Sequence, residues 1–173
     1  MDGCFTQSTV AACDLVVWLK STYISQQMVT QPWLWPISET LHFIGLTLVI
    51  GIAGLFDLRL MGFVRRMSVE AAMSLRGWAA LGVAICGITG ILFFVGAPEQ
   101  YLPNRAFWDK VFFLAVAMLN IAFFETRLGK KMLTLGPDDP TPVSFKITGA
   151  VSMASWFMVF HFGRMLAFIG TSF

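Results

Sequence analysis

Four long apolar runs, each close to the ~20 residues needed to cross a hydrocarbon core, leave this chain few ways to fold. They occupy roughly 37–56, 77–97, 107–124 and 147–169. Their boundaries are punctuated by helix-breaking residues: Pro32 and Pro36 precede the first run, Pro98 and Pro103 separate the second from the third, and Gly136, Pro137, Pro140 and Pro142 separate the third from the fourth. Segments surrounded by hydrocarbon must satisfy their own backbone, which for runs of this length means helices. Composition agrees, since only 13% of the 173 residues are charged, against about 25% in soluble domains. The net charge of +2 is small and scattered, so no basic groove for nucleic acid is expected.

The expected fold is therefore an all-α membrane protein. Residues 36–173 form an antiparallel four-helix transmembrane bundle, and residues 1–35 form an outward-facing N-terminal segment. That segment lacks the basic region of a signal peptide, and its apolar run at 15–19 is too short for one. Ala11, Leu15, Trp18, Leu19 and Tyr23 recur at helical spacing, which predicts an amphipathic helix lying in the membrane interface. A loosely ordered tail is the plainer alternative.

Orientation follows from charge. Arg59, Arg65, Arg66 and Arg76 lie between runs one and two, and Arg127, Lys130, Lys131 and Lys146 between runs three and four. This side is expected to be cytoplasmic, which makes the chain a multi-pass protein of a bacterial inner membrane with both termini periplasmic. Trp33, Trp35, Tyr101 and Trp108 would form an aromatic belt on the outer side. Cys4 and Cys13 would then face an oxidising compartment, open to a local disulfide, to pairing between subunits or to remaining free. Cys86 reads as a small buried hydrophobe.

Both histidines, His42 and His161, fall inside apolar runs, where an ionisable side chain points to function. Each lies fifteen residues from a charged group at the inner boundary, Asp57 or Lys146, placing both about 22 Å from that boundary. Two imidazoles at one depth on spans one and four are what a bis-histidine haem b requires. Gly45, one turn from His42, and Gly163 would make room for the macrocycle. Arg164 would pair with a propionate, and Glu39 would accept from the ring N–H of His42. Without a cofactor, Glu39 and Arg164 would form an ion pair while the histidines bonded to each other, to a hydroxyl or to a carbonyl. Copper at His42 and His161 is a further alternative, with Met158 and Met165 near His161; zinc hydrolysis is disfavoured because no His-Glu-x-x-His pattern occurs. Asn120 reads as a hydrogen bond across helices or between subunits.

The stretch from Trp33 through Pro36, Glu39, His42 and Gly45, followed by Gly51 and by Phe56-Asp57-Leu58-Arg59 to Gly62, resembles an uncharacterised family of small four-helix bacterial inner-membrane proteins. The likeness continues through Asn104 to Lys110, through Asn120 and through Gly163 to Ala167, covering most of the chain. It implies a four-helix fold and marks His42, Asp57, Arg59, Lys110, Asn120 and Arg164, but implies no established activity. His161 is not part of that pattern. The layout is also similar to four-helix membrane b-type cytochromes, which usually carry more histidines. The functional expectation is one outer haem passing electrons between a quinol and a periplasmic redox partner, rather than a self-contained enzyme. The alternative is a cofactor-free accessory or scaffold subunit of a membrane complex or homo-oligomer.

Overall fold

The computed structural model describes residues 10–64, 66–134, 141–166 and 168, and all regular structure among them is helical. Helices α1 (Val10–Ser21) and α2 (Tyr23–Thr30) precede the first span. The break between them is Thr22, whose extended backbone ends one helix while its hydroxyl accepts from the Ser25 N–H at 3.3 Å and so caps the next. The N-terminal stretch is thus two helices. Val16, Leu19 and Met28 are buried, whereas Leu15, Trp18 and Tyr23 are exposed. Met28 packs against the end of the second span where Gly96 leaves room, and Lys20 pairs with Glu99 at 2.8 Å. Cys13 is disulfide-bonded; Cys4 lies outside the described residues.

Span one is α3 (Leu34–Leu48), a π-helical segment (Val49–Ala53) and α4 (Gly54–Met61) in one continuous run. It extends past the expected end at residue 56 because Asp57 and Arg59 are buried in protein rather than held at the water boundary. Gly62 stops it with a left-handed backbone of φ 89°. Its N–H bonds to the Arg59 carbonyl, and the Phe63 N–H bonds to the Leu58 carbonyl, the paired closure that a C-terminal glycine permits.

Next come α5 (Val69–Ser74), α6 (Arg76–Gly96) and the single turn α7 (Pro98–Tyr101). After these, α8 (Arg105–Phe123), a second π-helical segment (Phe124–Leu128) and α9 (Gly129–Met132) form the third long run. The last helix is α10 (Val143–Met165); residues 167 and 169–173, within or beyond the expected fourth span, lie outside the described set. Asn104 works in two directions: its Oδ1 accepts from the Ala106 N–H at 2.9 Å to cap α8, while its Nδ2 donates to the Leu166 carbonyl at 3.1 Å. The start of α8 is thereby fastened beside the end of α10.

Four runs are long and apolar enough to cross a membrane: Leu34–Met61, Glu70–Gly96, Arg105–Met132 and Val143–Met165. Their outward faces carry bare Ile91, Phe112, Leu119 and Phe157, a surface suited to hydrocarbon and costly in water. In the first three runs 17% of the most apolar window is buried, against 39% in the fourth. The last helix is therefore the most enclosed of the four.

Span one changes partner halfway along. Its first half, α3, packs on α6, and its second half, α4, packs on α10, while α8 packs on α10 from the other side. Glycine sets both close approaches. A Cβ at Gly82 would lie 2.8 Å from the Gly45 carbonyl oxygen, and one at Gly149 would lie 2.9 Å from the Asp57 carbonyl oxygen. A Cβ at Gly87 would meet nothing within 4 Å.

Gly82→Ala and Gly149→Ala should each destabilise the protein by roughly 1–3 kcal/mol, the usual cost of overpacking. Gly87→Ala should be neutral or slightly stabilising, because alanine is the better helix former. Detergent-driven unfolding of the three variants checks this, and equal losses at Gly82 and Gly87 would contradict the assigned contacts.

Candidate functional site

The histidines expected to share a haem occupy different surroundings. His42 is half-buried in the seam between α3 and α6, with Nδ1 2.7 Å from the Thr89 hydroxyl oxygen. That hydroxyl spends its one proton on the Ile85 carbonyl at 2.7 Å, so the imidazole Nδ1–H donates and Nε2 is left as an acceptor. Phe93 meets the ring edge-on at 5.6 Å. His161 is exposed on α10, stacked along Phe157 and edge-on to Phe162. No contact joins the two rings among the described residues, so a haem held by both is carried by the sequence alone.

The residues expected around that haem are placed as follows. Glu39 is exposed and lies near Tyr101; the role expected of it, accepting from His42, is filled by Thr89. Arg164 is exposed, with its guanidinium 5.3 Å from the centre of the Phe168 ring. The space beside Gly45 is already taken by α6, where a Cβ would lie 2.8 Å from Cys86 Sγ and 3.0 Å from the Gly82 carbonyl oxygen. Lys110 lies over Gly163, with Nζ 3.5 Å from where a Cβ there would be. Burial, and then the Glu39 carboxylate, push the Tyr101 phenol above its ordinary range.

The main cavity sits elsewhere, at the end of the bundle carrying Gly62. Its volume is about 490 Å³, within the range of small-molecule sites. Both π-helical segments contribute to its wall through Val49, Ala53, Phe124 and Glu125, as do α4, α6, α8 and α10. A π turn interrupts regular helix packing and is often found at functional sites. Ala80 on α6 and Met118 on α8 line the cavity and are exposed, so it opens sideways between these two helices. Arg76 spans the same gap, with Nη1 2.6 and 2.7 Å from the two carboxylate oxygens of Glu125.

Most of the lining is apolar, and the exceptions are specific. Asp57 is 3% exposed; the Ser152 hydroxyl hydrogen-bonds to its carboxyl, but Oδ2 has no partner. Trp156, one turn beyond Ser152 on α10, is 8% exposed, and its indole Nε1–H is likewise buried without an acceptor. Asn120 donates from α8 to the Thr148 carbonyl on α10 at 3.1 Å, the cross-helix use expected of it. An unmade bond at a buried polar atom costs about 1–3 kcal/mol, and the two residues that carry these atoms, Asp57 and Trp156, both line the same cavity. Asp57 was marked in the sequence only through the family resemblance, and Trp156 not at all. The spacing of Ser152 and Trp156 at i and i+4 is the one local signal that could have placed them on one face.

Glu39→Gln should move the Tyr101 phenol titration, read by ultraviolet absorbance against exposed Tyr23, to lower pH but leave it above the ordinary range, since burial is the larger cause. An unchanged titration would separate Glu39 from Tyr101. Searches of this chain against protein-family models, characterised proteins and solved structures give no match.

Proposed function

We propose that this chain is a multi-pass membrane protein whose cavity near Asp57 binds a small amphipathic molecule drawn sideways from the bilayer. The observation that carries this reading is the pairing of an unsatisfied acceptor, Asp57 Oδ2, with an unsatisfied donor, Trp156 Nε1, on the wall of one largely apolar cavity. Groups left bare at that cost are what a ligand would complete. The chain serves on this reading as a binding or accessory subunit. The basic residues around the Gly62 end favour a cytoplasmic position for the cavity under the positive-inside rule.

A second reading keeps the expected haem and quinol-to-periplasm electron transfer, and one observation favours it. The Thr89 hydroxyl fixes the tautomer of His42 so that Nε2 is free to bind iron, the way outer-shell partners prepare metal-bound histidines. The donor set on this reading is His42 alone, because His161 is exposed on another helix.

The two readings separate in one preparation. Protein purified in mild detergent should release a co-purified molecule on organic extraction, and Ala80→Trp, which fills the lateral opening, should reduce it at least several-fold. Identical extracts would remove the cavity reading. A Soret band that shifts on dithionite addition and is lost in His42→Ala would establish the haem reading, whereas a colourless protein would end it.

A further inference from the structure

Resting on the cavity as a site filled sideways from the bilayer, we infer that its occupant is a phospholipid with a primary-amine headgroup. One acyl chain lies in the cavity, and Arg76 and Glu125 hold the phosphate and the ammonium at its mouth. The shape of the space comes first. At their inner ends α6 and α8 are joined by Arg76 and Glu125, and near their outer ends by the rings of Phe94 and Phe107, stacked 5.5 Å apart. Between these links α6 packs on α3 and α8 packs on α10, and the cavity opens sideways between Ala80 and Met118. Arg76, Ala80 and Val83 line it from one face of α6, and Gly87 continues that face at helical spacing. Gly87 is exposed, and a Cβ there would meet nothing within 4 Å. From Arg76 to Gly87 is eleven residues, about 16 Å along the helix and half of a hydrocarbon core ~30 Å thick. A largely apolar slot one leaflet deep fits an extended chain better than a compact molecule.

The mouth names the headgroup. Arg76 is the first residue of α6, and both of its bonds to Glu125 leave from Nη1. Among the described residues its Nε–H and Nη2 hydrogens therefore have no acceptor. The Glu125 carboxylate, although it takes both of those bonds, has further lone pairs to offer. The two side chains are 44% and 46% exposed, so a headgroup reaches both without unpacking a helix. A phosphate accepts from the free edge of the guanidinium, the geometry that arginine favours, and a primary ammonium donates to Glu125. Charge complementarity selects this combination. The mouth carries one positive and one negative group, and a zwitterionic headgroup answers each with its opposite. A diacylglycerol leaves both charges unused, a trimethylated amine has no proton to donate, and a glycerol headgroup brings no positive charge to Glu125.

The test uses the full chain, delipidated in detergent and titrated with phosphatidylethanolamine, phosphatidylcholine, phosphatidylglycerol and diacylglycerol of matched chains, with bound copies counted by native mass spectrometry. One phosphatidylethanolamine should bind about tenfold more tightly than phosphatidylcholine, and the other two more weakly still. Glu125→Gln should bring phosphatidylethanolamine down to the phosphatidylcholine level while leaving phosphatidylcholine within about twofold. Arg76→Gln should weaken both phospholipids about tenfold and leave diacylglycerol unchanged. Both positions are exposed, so these variants keep the fold, and each is an independent arm. Ala80→Trp should abolish binding of all four lipids. Equal binding of phosphatidylethanolamine and phosphatidylcholine, a preference that survives Glu125→Gln, or tightest binding of phosphatidylglycerol would overturn the assignment. If no phospholipid binds yet a co-purified molecule is still lost in Ala80→Trp, the lipid inference fails and the cavity stands; if neither effect is seen, both fail.

Discussion

Span one changes partner partway along its length, and the rest of the structure follows from that change. Gly45 and Gly82 bring α3 onto α6, and Gly149 brings α4 onto α10. Between the two contacts lies the π-helical segment Val49–Ala53, which adds a residue to the turn and re-aims the helix. Because α6 follows α3 and α8 follows α10, the change of partner leaves α6 and α8 with a space between them where α4 has crossed over. The Arg76–Glu125 pair bridges that space at its end. Both groups of this pair are nearly half exposed, so it contributes at most about 1 kcal/mol in water. Helix packing through the glycines, rather than this ion pair, sets the shape.

The polar groups inside follow from the same geometry. Close approach at Gly149 buries Asp57 against α10, where Ser152 hydrogen-bonds to its carboxyl group and Oδ2 is enclosed without a hydrogen-bond partner. A single hydrophobic residue at position 57 would remove that cost, yet the chain keeps a carboxyl group there and an indole N–H on the same wall. Polar groups retained inside apolar surroundings are expected to serve a ligand or a proton rather than stability. His42 is different: Thr89 satisfies its Nδ1 within the α3–α6 seam, so its buried side needs no ligand to explain it.

Much of the architecture was legible in the sequence because hydrocarbon imposes a length and an apolar composition that short runs cannot mimic. The four helices were placed correctly in number, and Asn120 found a cross-helix carbonyl. Boundaries were shorter than the true helices wherever charge was taken to mean water, as at Asp57 and Arg59, which the bundle itself buries. The break of the N-terminal stretch into α1 and α2 was not legible, because it rests on the extended backbone and capping hydroxyl of Thr22. The cavity was not legible. It depends on a mid-helix change of partner, and hydropathy carries no record of which helices touch. His42 and His161 each lie fifteen residues from a charged residue, but such spacing says nothing about the direction in which a side chain leaves its helix.

The most direct test of the account is an experimental density map of the chain in a lipid nanodisc. The account predicts α4 crossing to α10 at the Val49–Ala53 turn, a gap between α6 and α8, and density for a bound molecule in the cavity beside Asp57. A map showing α6 packed directly on α8, with the space beside Asp57 filled by side chains, would contradict it.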